Sequence, residues 1–474
     1  MVDFRLAETP PSEATVVAVP APSAGGRWDI PEAEAFLTQT GHTGEAGRIE
    51  KLVRPLSRPS TVFFAGVGPG DEAGWRAAGA AIVRSAGKAT SITVDLTSAV
   101  DHNAATRGFV EGAGLAAYHA NPAKRSPLTD VTLLVPDPIA AAEALEQGRS
   151  VVERTSFART LTNTPSSTKD PAWFVDQVNA AATRAGVGVE VWDVDRLRNE
   201  GFNGILAVGG GSTRGPRMLQ LDYAPSDATR HIVLVGKGIT FDTGGIDIKP
   251  AEAMLLMRKD MGGAAAVVGA VLAAADLQLP VRVTALTPLA ENMISGTAWR
   301  PGDVIEHYGG LTTEVRSTDA EGRIVLADAM AYAVEQYSPD FLIDVATLTG
   351  ANRVALGRRI GALMADDDDL ADALLAAAAR AGEGLWRLPL PGDYVSMVTS
   401  EIADLYNHSD GGAGTITAGL FLREFAGKQR DRWAHIDMSS PSWTDDAENE
   451  LAKGATGWGV RTLVRFFQDL SARS

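Results

Sequence analysis

The segment Ser317-Thr318-Asp319-Ala320-Glu321-Gly322-Arg323 packs two carboxylates and an arginine close together, then continues through Ile324–Met330 as an apolar, helix-forming stretch. Asp319 and Glu321 are two apart, so in extended backbone their side chains leave on the same face. Carboxylates converging ahead of a helix repel one another unless a cation neutralises them, and the candidates are a metal or Arg323 alone. A second segment, Val233–Pro250, brings Lys237 between Gly236 and Gly238 and then Asp242 toward the carboxyl end of an apolar strand, where open α/β sheets hold ligands. Lys237 can be read as a salt-bridge partner or as a neutral amine bound to metal, which needs a depressed pKa. In a third segment Asp260 precedes Gly262-Gly263-Ala264-Ala265-Ala266, and alone it reads as a helix N-cap. Taken together, Asp242, Asp260, Asp319 and Glu321 with Lys237 suit two divalent cations sharing bridging carboxylates, leaving Lys249 and Arg323 as cationic groups around the reacting atoms.

Composition narrows the chemistry. The chain has no cysteine, which removes disulfides, thiolate zinc sites and cysteine nucleophiles. Its seven histidines are scattered without metal-ligand spacing, and His435 reads as a satisfied core residue. A net charge of -16 argues against nucleic acid as the main partner and reads as a solubility surface. No apolar run reaches membrane-spanning length, and the first residues form no signal-peptide pattern, so a cytoplasmic protein is expected. Gly66-Val67-Gly68 is followed by Asp71 where a dinucleotide fingerprint needs glycine, so it reads as a tight strand-to-helix turn. Gly236-Lys237 fits no phosphate loop, and no Gly-x-Ser-x-Gly elbow occurs nearby.

These residues need a scaffold, and at 474 residues two domains are expected. Strands at Val16–Val19, in Thr61–Gly70 (ending in a glycine-rich turn), Ala89–Leu96 and Val131–Val135 alternate with helices at Trp75–Gly87 and Phe109–Ala120, an α/β pattern. Ile139–Leu161 reads as one long connecting helix, and the boundary is set at about residue 160: an N-terminal α/β domain over 1–160, including that helix from about 139, and a catalytic domain over 161–474. In the second domain the pattern predicts helices at Pro171–Ala185, Val194–Glu200, Gly262–Ala275, Leu370–Ala379, Thr415–Phe425 and Val460–Gln468. Strands are predicted at Gly188–Asp193, Gly204–Gly211, Met218–Tyr223, His231–Val235, Val281–Pro288, Phe341–Val345 and Trp433–Asp437. The expected result is a larger α/β domain with a mostly parallel sheet flanked by helices.

The motifs Gly236-Lys237-Gly238…Phe241-Asp242…Lys249-Pro250, Met257…Asp260-Met261-Gly262-Gly263 and Thr318-Asp319-Ala320-Glu321-Gly322-Arg323 resemble those of the leucyl (cytosol) aminopeptidases, hexameric exopeptidases with two metals. Supporting matches are Asn163-Thr164-Pro165, Thr347-Leu348-Thr349-Gly350 and Lys453-Gly454-Ala455-Thr456-Gly457. The resemblance implies that Lys237, Asp242, Asp260 and Glu321 bind a tightly held metal, and that Asp242, Asp319 and Glu321 bind an exchangeable one. It implies Mn²⁺ or Zn²⁺, peptide substrates with a free N-terminus, Lys249 as oxyanion stabiliser and a bicarbonate general base on Arg323. It puts Met257, Thr347, Leu348 and Gly350 around the substrate side-chain pocket, and it implies a homohexamer. Two departures stand out. Ser317 replaces the usual asparagine, which bears on loop hydrogen bonding. Met438-Ser439-Ser440-Pro441-Ser442-Trp443 replaces small apolar residues near the pocket floor, so a more polar pocket and a specificity shifted from leucine are expected. A nucleic-acid-binding role is weakened by the charge of -16 and the lack of a basic stripe in the first domain, and a two-metal phosphoesterase by the lack of a basic cluster beyond Lys249 and Arg323.

Overall fold

The computed structural model describes all residues except 1, 13, 22–27, 29, 473 and 474. The chain forms two compact units, Met1–Ser156 with Thr444–Gly454 and Phe157–Trp443 with Ala455–Ser474. Placing 444–454 with the first unit is something a single boundary along the chain cannot express.

The first unit contains β1 (Asp3–Ala7), β2 (Val16–Ala21), α1 (Ala33–Thr40), β3 (Ile49–Val53), β4 (Thr61–Gly66), α2 (Glu72–Ser85), β5 (Ser91–Asp95), α3 (His102–Ala117), β6 (Asp130–Leu134) and the start of α4 (Ala142–Asn163). The sheet order is β1-β6-β5-β2-β4-β3, parallel except for β3 at the edge. Alternation divides β2 and β4 between two cores, with Val17, Val19, Val62 and Phe64 in one and Ala18, Phe63 and Ala65 in the other. The Gly66–Gly70 turn is the tight strand-to-helix connection expected, and Asp71 caps α2 by accepting from Gly74 N at 2.8 Å.

The second unit continues with α5 (Pro171–Ala185), β7 (Gly188–Trp192), α6 (Val194–Asn199), α7 (Asn203–Gly209), β8 (Arg217–Tyr223), β9 (His231–Gly236), β10 (Gly238–Asp242), α8 (Ala251–Met254), α9 (Gly262–Asp276) and β11 (Arg282–Asn292). It then adds β12 (Val304–Glu306), β13 (Thr312–Glu314), α10 (Glu321–Gln336), β14 (Phe341–Ala346), α11 (Gly350–Leu356), β15 (Ile360–Ala365), α12 (Asp368–Ala381) and β16 (Gly384–Arg387). The last elements used below are β17 (Leu405–Tyr406), α13 (Gly414–Ala426), β18 (Trp433–Asp437) and α14 (Val460–Ala472). The main sheet runs β16-β15-β18-β14-β9-β11-β8-β7, with β10 added along the second half of β11. Its centre, β18-β14-β9-β11, is parallel and buried, and α9 and α10 are apolar nearly all round because they too are enclosed.

One predicted element changes type. Residues 204–211 are read as a strand, yet α7 is a helix there. A six-residue apolar run suits either period; here the helix lets Ile205 N donate to the buried Asp328 carboxylate at 2.9 Å. Strand β11 also runs four residues past the predicted end, because its extension pairs with β10.

Candidate metal centre

Strand β9 stops at Gly236 and resumes as β10 at Gly238, so Lys237 is a one-residue interruption at the carboxyl edge of the sheet. Its backbone is fixed on both sides: Lys237 N donates to Val345 O at 3.0 Å, and Lys237 O accepts from Ala264 N at 2.8 Å. Glycines surround it by necessity. A Cβ on Gly322 would lie 2.7 Å from Lys237 Nζ, and one on Gly236 would lie 2.7 Å from the Ala264 Cα. The following loop needs glycine for a different reason, since Gly244 and Gly245 have φ of 87° and 65°.

The buried Lys237 ammonium lies 2.8 Å from both Asp260 and Glu321 and donates to Thr347 O at 3.2 Å. Burial alone would lower its pKa, but the Asp260 and Glu321 carboxylates outweigh that and raise it. Lys237 is therefore an ammonium among these side chains, and metal ligation requires it to release that proton. Lys249 pairs with Asp242 at 2.8 Å and with Asp319, and these acids together with Glu321 hold it charged against its burial.

Asp242, Asp319 and Glu321 each present a ligand oxygen within 4.8 Å of the others. Asp260 stands outside that trio and joins it through Lys237. Burial, then repulsion from Glu321 and Asp260, pushes the Asp242 carboxyl up to about 8. Burial likewise pushes Asp260 up to about 6, with Lys237 opposing it, and raises Asp319, with Glu321 adding to it. Glu321 goes the other way despite burial, because Lys237 and Lys249 stabilise its charge. It also occupies the first position of α10, at the positive end of the helix dipole. Asp260 is no N-cap: Met261 holds that position in α9, and the Asp260 carboxylate accepts from Thr347 Oγ1 at 2.8 Å.

A divalent cation fits this donor set. Asp260 Oδ2 and Glu321 Oε1 are buried and face the Lys237 amine at 2.8 Å, and carboxylate oxygens with one amine suit a hard or borderline ion. Arg323 is buried, its Nε has no acceptor, and burial pushes its guanidinium down to about 10. No carboxylate among the described residues pairs with it, so it is not what neutralises Asp319 and Glu321.

Residues outside the motifs hold the ligands in place. Asn292, at the end of β11, donates to Asp242 Oδ1 at 2.8 Å and to Thr318 O at 3.0 Å, and Trp299 Nε1 donates back to it at 3.3 Å. Asn407 accepts from Arg316 N and Ser317 N and donates to Ser317 O, supplying the loop hydrogen bonds, while Ser317 Oγ accepts from Asp319 N at 3.2 Å. The detectable signal for Asn292 was a polar residue closing an apolar strand; Asn407 gave none. Met257, Thr347, Leu348 and Gly350 lie on the turn before Asp260 and just beyond β14, with Leu348 N donating to Asp437 at 3.1 Å. His435 is a core residue, bonded to Asp344 at 2.5 Å.

A profile of the cytosol aminopeptidase family, catalytic domain, matches residues 156–464. The chain is 46% identical over 416 residues to a probable cytosol aminopeptidase of Micrococcus luteus, covering 83% of this chain and 80% of the relative. It is 41% identical to one of Clavibacter michiganensis, covering 96% and 95%. Among solved structures it is similar to the bottromycin maturation enzyme BotP in complex with Mn, at 39% identity and a TM-score of 0.88, covering 97% of this chain and all of that one. Carboxylates gathered at the carboxyl edge of the sheet, in a chain so related throughout its length, have one consistent meaning: the chain belongs to the cytosol aminopeptidase family and is a metal-dependent hydrolase with a dinuclear centre that trims peptides from the N-terminus.

Proposed function

We propose that Lys237, Asp242, Asp260 and Glu321 would hold one divalent cation and that Asp242, Asp319 and Glu321 would hold a second, Asp242 and Glu321 serving both. The observation that carries this reading is the convergence of three ligand oxygens within 4.8 Å beside the buried Lys237 amine, itself 2.8 Å from Asp260 and Glu321. Mn²⁺ is the favoured ion, given the Mn complex of the similar BotP, and Zn²⁺ is the alternative. Bound cations of this kind supply a water activated for attack at neutral pH and a Lewis acid for the scissile carbonyl. Lys249, held charged by its carboxylate neighbours, meets the negative charge that develops on that carbonyl oxygen. Arg323, a buried guanidinium without an ion-pair partner among the described residues, holds a bicarbonate anion that serves as base. Met257, Thr347, Leu348 and Gly350 border the side chain of the N-terminal residue.

The chain acts in the cytoplasm as a homohexamer. The names of its relatives support the location, and no helix among the described residues is long and apolar enough to cross a membrane. Exposed Leu255, Val354, Trp386 and Ile402 on the catalytic unit support subunit contacts. The deciding experiment removes metal with a chelator, adds Mn²⁺ or Zn²⁺ back, and follows both bound metal and release of an N-terminal residue. Activity should vanish and return with about two ions per chain. An apoenzyme as active as the loaded one defeats the reading.

A further inference from the structure

Lys259 carries a charge that the reaction described above does not use. It ends the short turn Met257–Lys259, directly before Asp260, and is partly exposed. Its ammonium donates to Ser439 O at 2.5 Å and Ser442 Oγ at 3.2 Å, leaving a third proton unassigned. No carboxylate among the described residues lies within ion-pair distance of it. The two nearest acids are committed elsewhere: Asp260 to Lys237 and Thr347, and Asp437 to Leu348 N, Thr349 N, the Thr349 hydroxyl and Ser439 N. Burial pushes the Lys259 ammonium down to about 8, with the Asp260 and Asp437 carboxylates opposing it and Arg353 on α11 adding to it.

The surroundings of Lys259 form a wall next to Asp260. Gly262, at the start of α9, faces Thr347, Met438 and Ser442, whose side-chain atoms would lie 3.3, 3.7 and 3.9 Å from a Cβ at that position. Thr347 in turn touches both Lys237 and Asp260, so this wall is continuous with the centre. We propose that the wall receives the side chain of the peptide's N-terminal residue and that Lys259 makes the enzyme select an acidic one, aspartate or glutamate. This inference rests on the aminopeptidase reading and names its substrate class. The substrate carboxylate takes the third ammonium proton as a charge-assisted hydrogen bond, with Ser439 and Ser442 keeping the lysine oriented. An apolar N-terminal side chain would instead bury the ammonium without a partner.

The test compares kcat/KM of the Mn²⁺-loaded full chain on coumarin amides of Glu, Asp, Leu, Met and Ala. Glu or Asp should exceed Leu by about tenfold or more, the scale of one desolvated charge-assisted bond. Lys259→Met should reverse that order, and Lys259→Arg should keep it. Leucine or methionine cleaved as fast as the acids by the unaltered chain overturns the inference alone, as does an unchanged Glu-to-Leu ratio in Lys259→Met. Should Lys259→Met not fold, the unaltered chain's ranking decides by itself. No cleavage of any amide defeats the aminopeptidase reading and this inference with it.

Discussion

Lys237, Lys249 and Arg323 are cations of similar formal charge set among the same acids, and geometry gives them different work. Lys237 is enclosed by Asp260, Glu321 and the Thr347 carbonyl, Lys249 reaches Asp242 and Asp319, and Arg323 forms no ion pair among the described residues. Lys249→Ala should therefore lower kcat by about 10²–10³ while leaving the metal content intact, as measured by elemental analysis beside the rate assay. Loss of metal in that variant would make Lys249 structural instead. Asn292→Ala removes a donor from Asp242 and should weaken Mn²⁺ binding by about 10–100-fold, read by calorimetric titration of the apoenzyme. The motif residues were readable in the sequence because each carries charge at unusual spacing. Asn292, Asn407 and Lys259 were not, because an amide or a lysine acquires a role only through what the fold sets opposite it.

The elements explain why the site needs so little local signal. Parallel β9, β14 and β18 end at one edge, so chain segments from Lys237, Thr347 and Asp437 onward become neighbours without any motif that says so. Helix α9 approaches that edge closely: a Cβ on Gly263 would lie 2.8 Å from the Val345 carbonyl carbon, with backbone that cannot yield. Gly263→Ala should cost about 1–3 kcal/mol or more, seen as a lowered thermal midpoint. Helices and strands with a single strong period were legible, whereas the short apolar run of α7 was not, since burial against α10 rather than periodicity chose its form. His231, at the start of β9, is pushed down to about 4 by burial, with Arg282 adding to it. Below about pH 6.5 the unfolded chain takes up a proton there that the folded chain refuses, so its stability contribution is present above 6.5 and fades as pH falls toward 4. Because the ring is partly solvent-screened, the expected loss is about 1–2 kcal/mol. Comparing thermal midpoints of the unaltered chain and His231→Gln at pH 7 and 5 checks it; equal losses refute the assignment.

For the whole molecule, the α/β class could be read from alternating patterns. The return of Thr444–Gly454 to the first unit could not, because it depends on contacts between residues hundreds of positions apart. Light scattering should give about six times the 49.7 kDa chain mass, and a mass of one chain would refute the hexamer.

The glycines around Lys237 have an evolutionary corollary. Gly236, Gly263 and Gly322 bind nothing, yet each abuts a different part of the lysine, its backbone or its neighbours. A saturation-mutagenesis library selected for activity should therefore tolerate no replacement at these positions, and the pattern of intolerance would trace the outline of one side chain. Side chain and enclosure would have to change together, so Lys237 is locked in by its glycine neighbours.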